Sequence, residues 1–161
     1  MTKVCVTFDT PLGPVTVAGR AGQVTDICLP GAEVGAAWRA DGAAFPAAQA
    51  QLTAYFDGLA PLFDFAIAPE GSGFQRQVWA ALRAIPYGQT ATYAQIAAAV
   101  GKPGGTQAVG QANGRNPCPI VIPCHRVVAA DGGLGGFSGG ADLKRQLLVL
   151  EGAREEAPRL L

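Results

Sequence analysis

The chain is poor in the residues from which metal and disulfide chemistry are built. It has one histidine and four cysteines in 161 residues, and no two cysteines stand in Cys-x-x-Cys spacing. Structural zinc sites draw on closely spaced cysteine and histidine ligands, so no metal is expected. Four scattered cysteines do not make a disulfide scaffold either; Cys5 and Cys28 in apparent strands and Cys118 between prolines read as small core residues. No apolar run approaches the roughly 20 residues of a membrane-spanning helix. Met1-Thr2-Lys3-Val4-Cys5 lacks the charged and apolar regions of a secretory signal. A soluble, cytoplasmic protein with no membrane partner is the expectation.

Net charge is also lacking: 12 basic residues balance 12 acidic ones. At first this argues against a nucleic-acid partner, but the distribution is uneven. Residues 1–71 carry Lys3, Arg20 and Arg39 against Asp9, Asp26, Glu33, Asp41, Asp57, Asp64 and Glu70, a net of minus four, which leaves plus four for residues 72–161. The basic half can meet phosphates while the acidic half faces away. Binding by so modest a charge should be weak and salt-sensitive.

What is present divides the chain at about residue 70. Val4, Val6 and Phe8 alternate with polar neighbours, Pro11-Leu12-Gly13-Pro14 turns the chain, and Val15 and Val17 resume the period of two. After a turn at Gly19 to Gly22, Val24 to Leu29 completes a small antiparallel meander. Gly31 to Gly42 reads as loop with at most a turn of helix. Phe45, Gln49, Leu52, Tyr55 and Phe56 fall at helical spacing, with Pro46 suited to the first turn and Asp57-Gly58 to the end. Phe63 to Ile67 alternates again, as a strand or as a linker. Nothing in residues 1–70 carries chemistry, so this part reads as support.

From Gly71 the pattern is helical. Ser72 with Gln75 and Thr92 with Gln95 form two capping boxes. Phe74, Val78, Leu82 and Ile85 make one apolar stripe that stops at Pro86-Tyr87-Gly88. The helix after Thr92 ends near Gly101, and a second short one runs from about Thr106 to Asn113. Two short helices around a glycine-containing turn suggest a helix-turn-helix. The small residues Ala108, Gly110 and Ala112 let the second helix lie close to a nucleic-acid backbone or, equally, to another helix.

The candidate chemistry lies in Asn116-Pro117-Cys118-Pro119-Ile120-Val121-Ile122-Pro123-Cys124-His125-Arg126-Val127-Val128. Three prolines stiffen a loop that sets Cys124 beside the only histidine. A thiolate is a strong nucleophile, and a neighbouring imidazole lowers a cysteine pKa towards neutrality. Adjacent side chains do not face one another, so the imidazole must reach the sulfur through a kink or a water. Downstream, six glycines in residues 131–140 can approach a flat ligand without side-chain clashes. A final helix over 141–150 buries Leu143, Leu147 and Leu150, which turns Glu151 inward at a helix end where the dipole disfavours an anion. That carboxylate needs a partner: His125, or an arginine such as Arg126 or Arg145.

Pro123-Cys124-His125-Arg126, with Asn116-Pro117 and Pro119-Ile120 before it, closely resembles the active-site signature of the O6-alkylguanine-DNA alkyltransferases, or methylated-DNA-protein-cysteine methyltransferases. Thr10-Pro11-Leu12-Gly13, Ile85-Pro86-Tyr87-Gly88, Ala108-Val109-Gly110, Ser138-Gly139-Gly140 and Leu150-Glu151-Gly152 follow in the family's order, so the resemblance covers nearly the whole chain. It implies an α+β fold: residues 1–70 as a small ribonuclease H-like domain of antiparallel sheet and helix, and residues 71–161 as a mainly α, helix-turn-helix domain. It implies a monomer that binds double-stranded DNA through the minor groove, flips out O6-alkylguanine or O4-alkylthymine, and moves the alkyl group to Cys124 once, without a cofactor.

The resemblance also implies roles. His125, oriented by Glu151, takes the thiol proton, and Asn116 is the hinge between the second helix and the cysteine loop, though an Asn-Pro turn would explain it as well. Tyr93, Val127, Ser138 and Gly139 meet the everted base, although Tyr93 also fits a core or capping position. Thr92, Tyr93, Gln107, Ala108, Gly110, Gln111, Asn113 and Arg115 form the DNA surface. Two departures stand out. Gly105-Thr106-Gln107 replaces the usual alanines and intercalating arginine, and Phe137 replaces a usual tyrosine. A damage-recognition protein without repair activity would lack the cysteine. A thiol-sensing regulator would need long polar side chains on its reading helix, and a thiol hydrolase is the third alternative.

Overall fold

The alternating valines of the first 30 residues fold as their period of two requires. In the computed structural model, which describes residues 2–137 and 139–154, β1 (Val4–Thr10), β2 (Gly13–Arg20) and β3 (Gln23–Cys28) form an antiparallel meander. Val6 lies opposite Val17, and Val17 opposite Ile27, so one face is apolar. The β2–β3 register shifts at Gly19, where a Cβ would stand 1.9 Å from the Gln23 carbonyl oxygen. Only glycine admits that approach.

The region read as loop contributes a fourth strand. β4 (Arg39–Ala40) pairs parallel to β1 through Arg39 N–H to Lys3 O at 3.0 Å and Asp41 N–H to Cys5 O at 2.8 Å. Two residues are too few to show a period. The Phe63 to Ile67 segment joins the opposite edge by a single bridge, Ile67 to Val24. The same edge strand donates Ile27 N–H to Pro117 O at 2.8 Å, so the sheet grips the cysteine loop directly.

Helix α1 (Pro46–Phe56) covers the sheet with Ala48, Leu52, Tyr55 and Phe56. Both capping boxes are present, at Ser72 for α2 (Gly73–Arg83) and at Thr92 for α3 (Tyr93–Ala99). Helix α4 (Thr106–Gly114) packs on both, and Trp79 ties α2 to it by an Nε1–H bond to Ala112 O at 2.9 Å. Short strands β5 (Ala91–Thr92) and β6 (Val127–Val128) pair in parallel, which sets the start of α3 beside the exit of the cysteine loop.

Helix α5 (Ala141–Leu150) is turned from the expected face: Lys144, Leu147 and Leu148 are buried, while Leu143 and Leu150 are half-buried. A lysine enters because backbone carbonyls receive its ammonium. The apolar core is continuous from Val6 in β1 to Leu147 in α5. None of the described helices is long and apolar enough to cross a membrane.

Trp79→Phe removes the indole hydrogen bond and leaves the Ala112 carbonyl with Arg115 N–H at 3.2 Å as its remaining donor. Chemical denaturation should show a loss of about 0.5–1.5 kcal/mol from that hydrogen bond, with additional loss from the smaller ring.

Candidate active site

Asparagine side chains build the loop that carries Cys124. The Asn116 carbonyl oxygen accepts Cys118 N–H at 2.9 Å, and its amide donates to Ile122 O at 2.7 Å, closing the turn from both sides. Ile122 N–H reaches Cys118 O at 2.9 Å. Between them Ile120 has φ +75°, a conformation a β-branched residue rarely adopts. Such strain costs about 1–3 kcal/mol, and persists here because the Ile120 side chain is anchored in the core.

Asn113 was expected on the DNA surface, and the structure corrects this. It is buried on the inner face of α4, and its amide donates to the Cys124 carbonyl at 3.3 Å. Helical spacing puts residue 113 on the same side as Val109, which is in the core. Asn113 therefore holds the cysteine loop.

Cys124 to Arg126 form one 3-10 turn, all three residues of which are buried. His125 Nε2 lies 2.6 Å from Glu151 Oε2. Arg126 also engages Glu151, with Nε at 2.7 Å from Oε1 and Nη2 at 3.1 Å from Oε2, while its Nη1 caps Ile85 O at 2.7 Å. The carboxylate thus takes both partners that the sequence left open, and Arg145 pairs with Asp142 instead. A fourth group completes the cluster: Tyr55 Oη donates to Glu151 Oε2 at 2.5 Å. Tyr55 belongs to the half read as inert support. Its signal in the sequence was a tyrosine on a buried helical stripe, whose hydroxyl must find a partner.

The electrostatics differ from the expected activated thiol. Burial pushes the Cys124 thiol up to about 11, against the smaller opposing pull of the Asn116 amide, the Lys144 charge and nearby backbone N–H groups. Burial likewise lowers the His125 pKa, outweighing the attraction of Glu151. Burial would raise the Glu151 carboxyl, but hydrogen bonds from His125, Arg126 and Tyr55 hold it well below the usual range. Both thiol and imidazole are therefore neutral at rest. An ionised carboxylate can only accept, so the ring proton sits on Nε2 and the lone pair on Nδ1. That buried Nδ1 has no hydrogen-bond partner among the described residues.

Lys144 is fully buried with Nζ at 2.6 Å from Val127 O and 3.3 Å from Gly136 O, 6.0 Å above the Tyr93 ring. Burial brings its pKa down to about 8. Tyr93 Oη donates to Gly136 O at 3.3 Å, and a Cβ on Gly135 would stand 2.7 Å from that hydroxyl. Glycine is thus required where the 131–140 segment lies on Tyr93. An open cleft of about 610 Å³ follows, lined by Tyr93, Gln107, Gly110, Gln111, Gly136 and Phe137 among others.

Of the other predicted residues, Gln107, Ala108, Gln111 and Arg115 are exposed, while Thr92 and Gly110 are half-buried. Val127 is buried and its carbonyl is occupied by Lys144; Gly139 is exposed. Ser138 lies outside the described residues. Cys5, Cys28 and Cys118 are free thiols, and among the described residues no three His, Cys, Asp or Glu side chains are grouped to hold a metal.

Residues 73–153 match the family model described as 6-O-methylguanine DNA methyltransferase, DNA binding domain. The chain is 44% identical over 154 residues to the methylated-DNA–protein-cysteine methyltransferase of Mycobacterium tuberculosis, covering 94% of this chain and 93% of the relative. It is 46% identical over 148 residues to that of Methanosarcina barkeri, covering 89% and 94%. The crystal structure of Mycobacterium tuberculosis OGT in complex with DNA superposes with a TM-score of 0.88 at 44% identity, covering 92% of each chain.

The neutral histidine sets an acid limit on stability. Unfolded histidine takes up a proton near 6.5, whereas folded His125 resists it, so the unfolded state binds more protons below that pH. Denaturation midpoints should fall as pH drops through about 6.5, and His125→Gln should flatten that part of the curve.

Proposed function

The chain belongs to the family of methylated-DNA–protein-cysteine methyltransferases, and we propose that Cys124 is the acceptor that takes an alkyl group directly from O6-alkylguanine in DNA. DNA binding and repair by alkyl transfer are the family activity of this chain. The observation that carries the assignment to Cys124 is the buried thiol next to an imidazole whose Nε2 is fixed on Glu151 at 2.6 Å and whose Nδ1 is unpartnered among the described residues.

The chemistry follows from those neutral groups. The target oxygen is unreachable in stacked DNA, so the base must leave the duplex and enter from the cleft beside Tyr93. The Cys124 thiol proton passes to His125 Nδ1 through a bridging water, and Glu151 holds the imidazolium so formed. The sulfur then forms a bond to the alkyl carbon as the carbon–O6 bond breaks, and its electron pair stays on guanine. The proton held by His125 finally neutralises the guanine anion. Tyr93, on exchanging its bond to Gly136 O, is placed to hydrogen-bond the departing base. A thioether is not readily reversed, so each molecule acts once. The same displacement would act on O4-alkylthymine.

In this reading α3 and α4 act as a helix-turn-helix, with the exposed face of α4 against the minor groove. Residues 1–70 are a ribonuclease H-like support, residues 71–161 bind DNA, and the protein works as a monomer. Helix α4 carries no charged side chain, so its grip comes from close approach through Ala108 and Gly110 and from polar Gln107 and Gln111.

Incubation with an O6-methylguanine oligonucleotide should raise the intact mass by one methyl in place of hydrogen, and Cys124→Ser should show no gain. A gain on the serine variant, or none on the wild type, overturns the assignment. Gln107→Arg should speed repair of duplex DNA more than reaction with free O6-benzylguanine; equal effects would remove Gln107 from the DNA interface.

A further inference from the structure

We infer that Tyr55 is a positioning residue for alkyl transfer: by donating to Glu151 Oε2, it sets how strongly His125 binds a proton. The inference rests on the reading of His125 as the proton acceptor. One carboxylate oxygen receives both Tyr55 Oη at 2.5 Å and His125 Nε2 at 2.6 Å, and the two donors lie 3.5 Å apart. They share one acceptor. Charge drawn to the tyrosine hydroxyl is charge no longer available to stabilise an imidazolium.

The geometry leaves Tyr55 no other task for its hydroxyl. The side chain is fully buried, and its ring is wedged edge-on against Phe56 at 5.2 Å and Tyr87 at 6.2 Å, with Phe63 at 6.0 Å. Burial first, and then the Glu151 charge, push its ionisation far above the ordinary range, so the hydroxyl stays a donor. Among the described residues, the other charged groups acting on the pair are Arg126 on Glu151 and Lys144 on the imidazole, with Tyr87 at the Arg126 guanidinium, 5.7 Å away. Arg126 also loads the carboxylate with donors, but it is itself tied to Ile85 O. Tyr55 is the contribution of α1, and through it the N-terminal half reaches the chemistry.

The chain's single histidine makes the test direct. In tag-free protein carrying ¹⁵N-labelled histidine, the imidazole titration is followed without substrate in the wild type, in Tyr55→Phe, and with 3-fluorotyrosine installed at position 55. Loss of the donor should raise the proton affinity of His125 about tenfold, the size of one hydrogen bond to a charged group. The stronger donor fluorotyrosine should lower it. The acid limb of the reaction with O6-benzylguanine should move to higher pH in Tyr55→Phe and to lower pH with fluorotyrosine. An unmoved titration overturns the inference even where the phenylalanine variant loses stability or rate, because packing alone would not shift it; should that variant not fold, the fluorotyrosine arm decides. Failure of wild-type protein to take up the benzyl group would instead count against the proposed function.

Discussion

A carboxylate taken out of water must be satisfied by donors, and the placement of His125, Arg126 and Tyr55 follows from how Glu151 is satisfied. It closes α5, faces the core, and receives His125, one edge of the Arg126 guanidinium through Nε and Nη2, and Tyr55. Arg126 extends the cluster to the turn just after α2 through Ile85 O. One buried acid thereby fastens α1, α2, α5 and the 3-10 turn of the cysteine. Removing a partner from such a buried pair costs about 3–5 kcal/mol, since the remaining charge is left uncompensated. Fold and site therefore stand or fall together at this residue.

The same arrangement explains why the thiol can be reactive without being ionised in advance. Low dielectric makes separated charges expensive, so Cys124 and His125 rest in their neutral forms. Under the proposed function, proton transfer between them is drawn forward only when an alkyl carbon is in place to consume the thiolate. A neutral resting thiol is also protected, because a standing thiolate is more readily lost to oxidation. Lys144, buried among carbonyls beside Tyr93, adds positive charge near the sulfur without neutralising it.

Much of this was legible in the residues. The valine alternation gave the meander, two capping boxes marked the starts of α2 and α3, and inward rotation at the end of α5 pointed to Glu151. What escaped was what depends on distant contacts. Arg39–Ala40 is too short for any period, and Lys144 enters the core only because carbonyls await it, whereas the inward turn of Asn113 could have been read from its helical spacing to Val109. Tyr55 looked like one more apolar position of α1, since its partner lies 96 residues away. The resting state of the thiol is hidden in the same way: adjacency to histidine is visible in a sequence, but the burial that keeps Cys124 neutral is not.

The central claim concerns one proton. At neutral pH, the ¹⁵N chemical shifts of the lone imidazole in tag-free wild-type protein report which ring nitrogen carries it. The account requires a neutral ring protonated on Nε2, towards Glu151, with Nδ1 left as the acceptor. A charged imidazolium, or a proton resident on Nδ1, would contradict it.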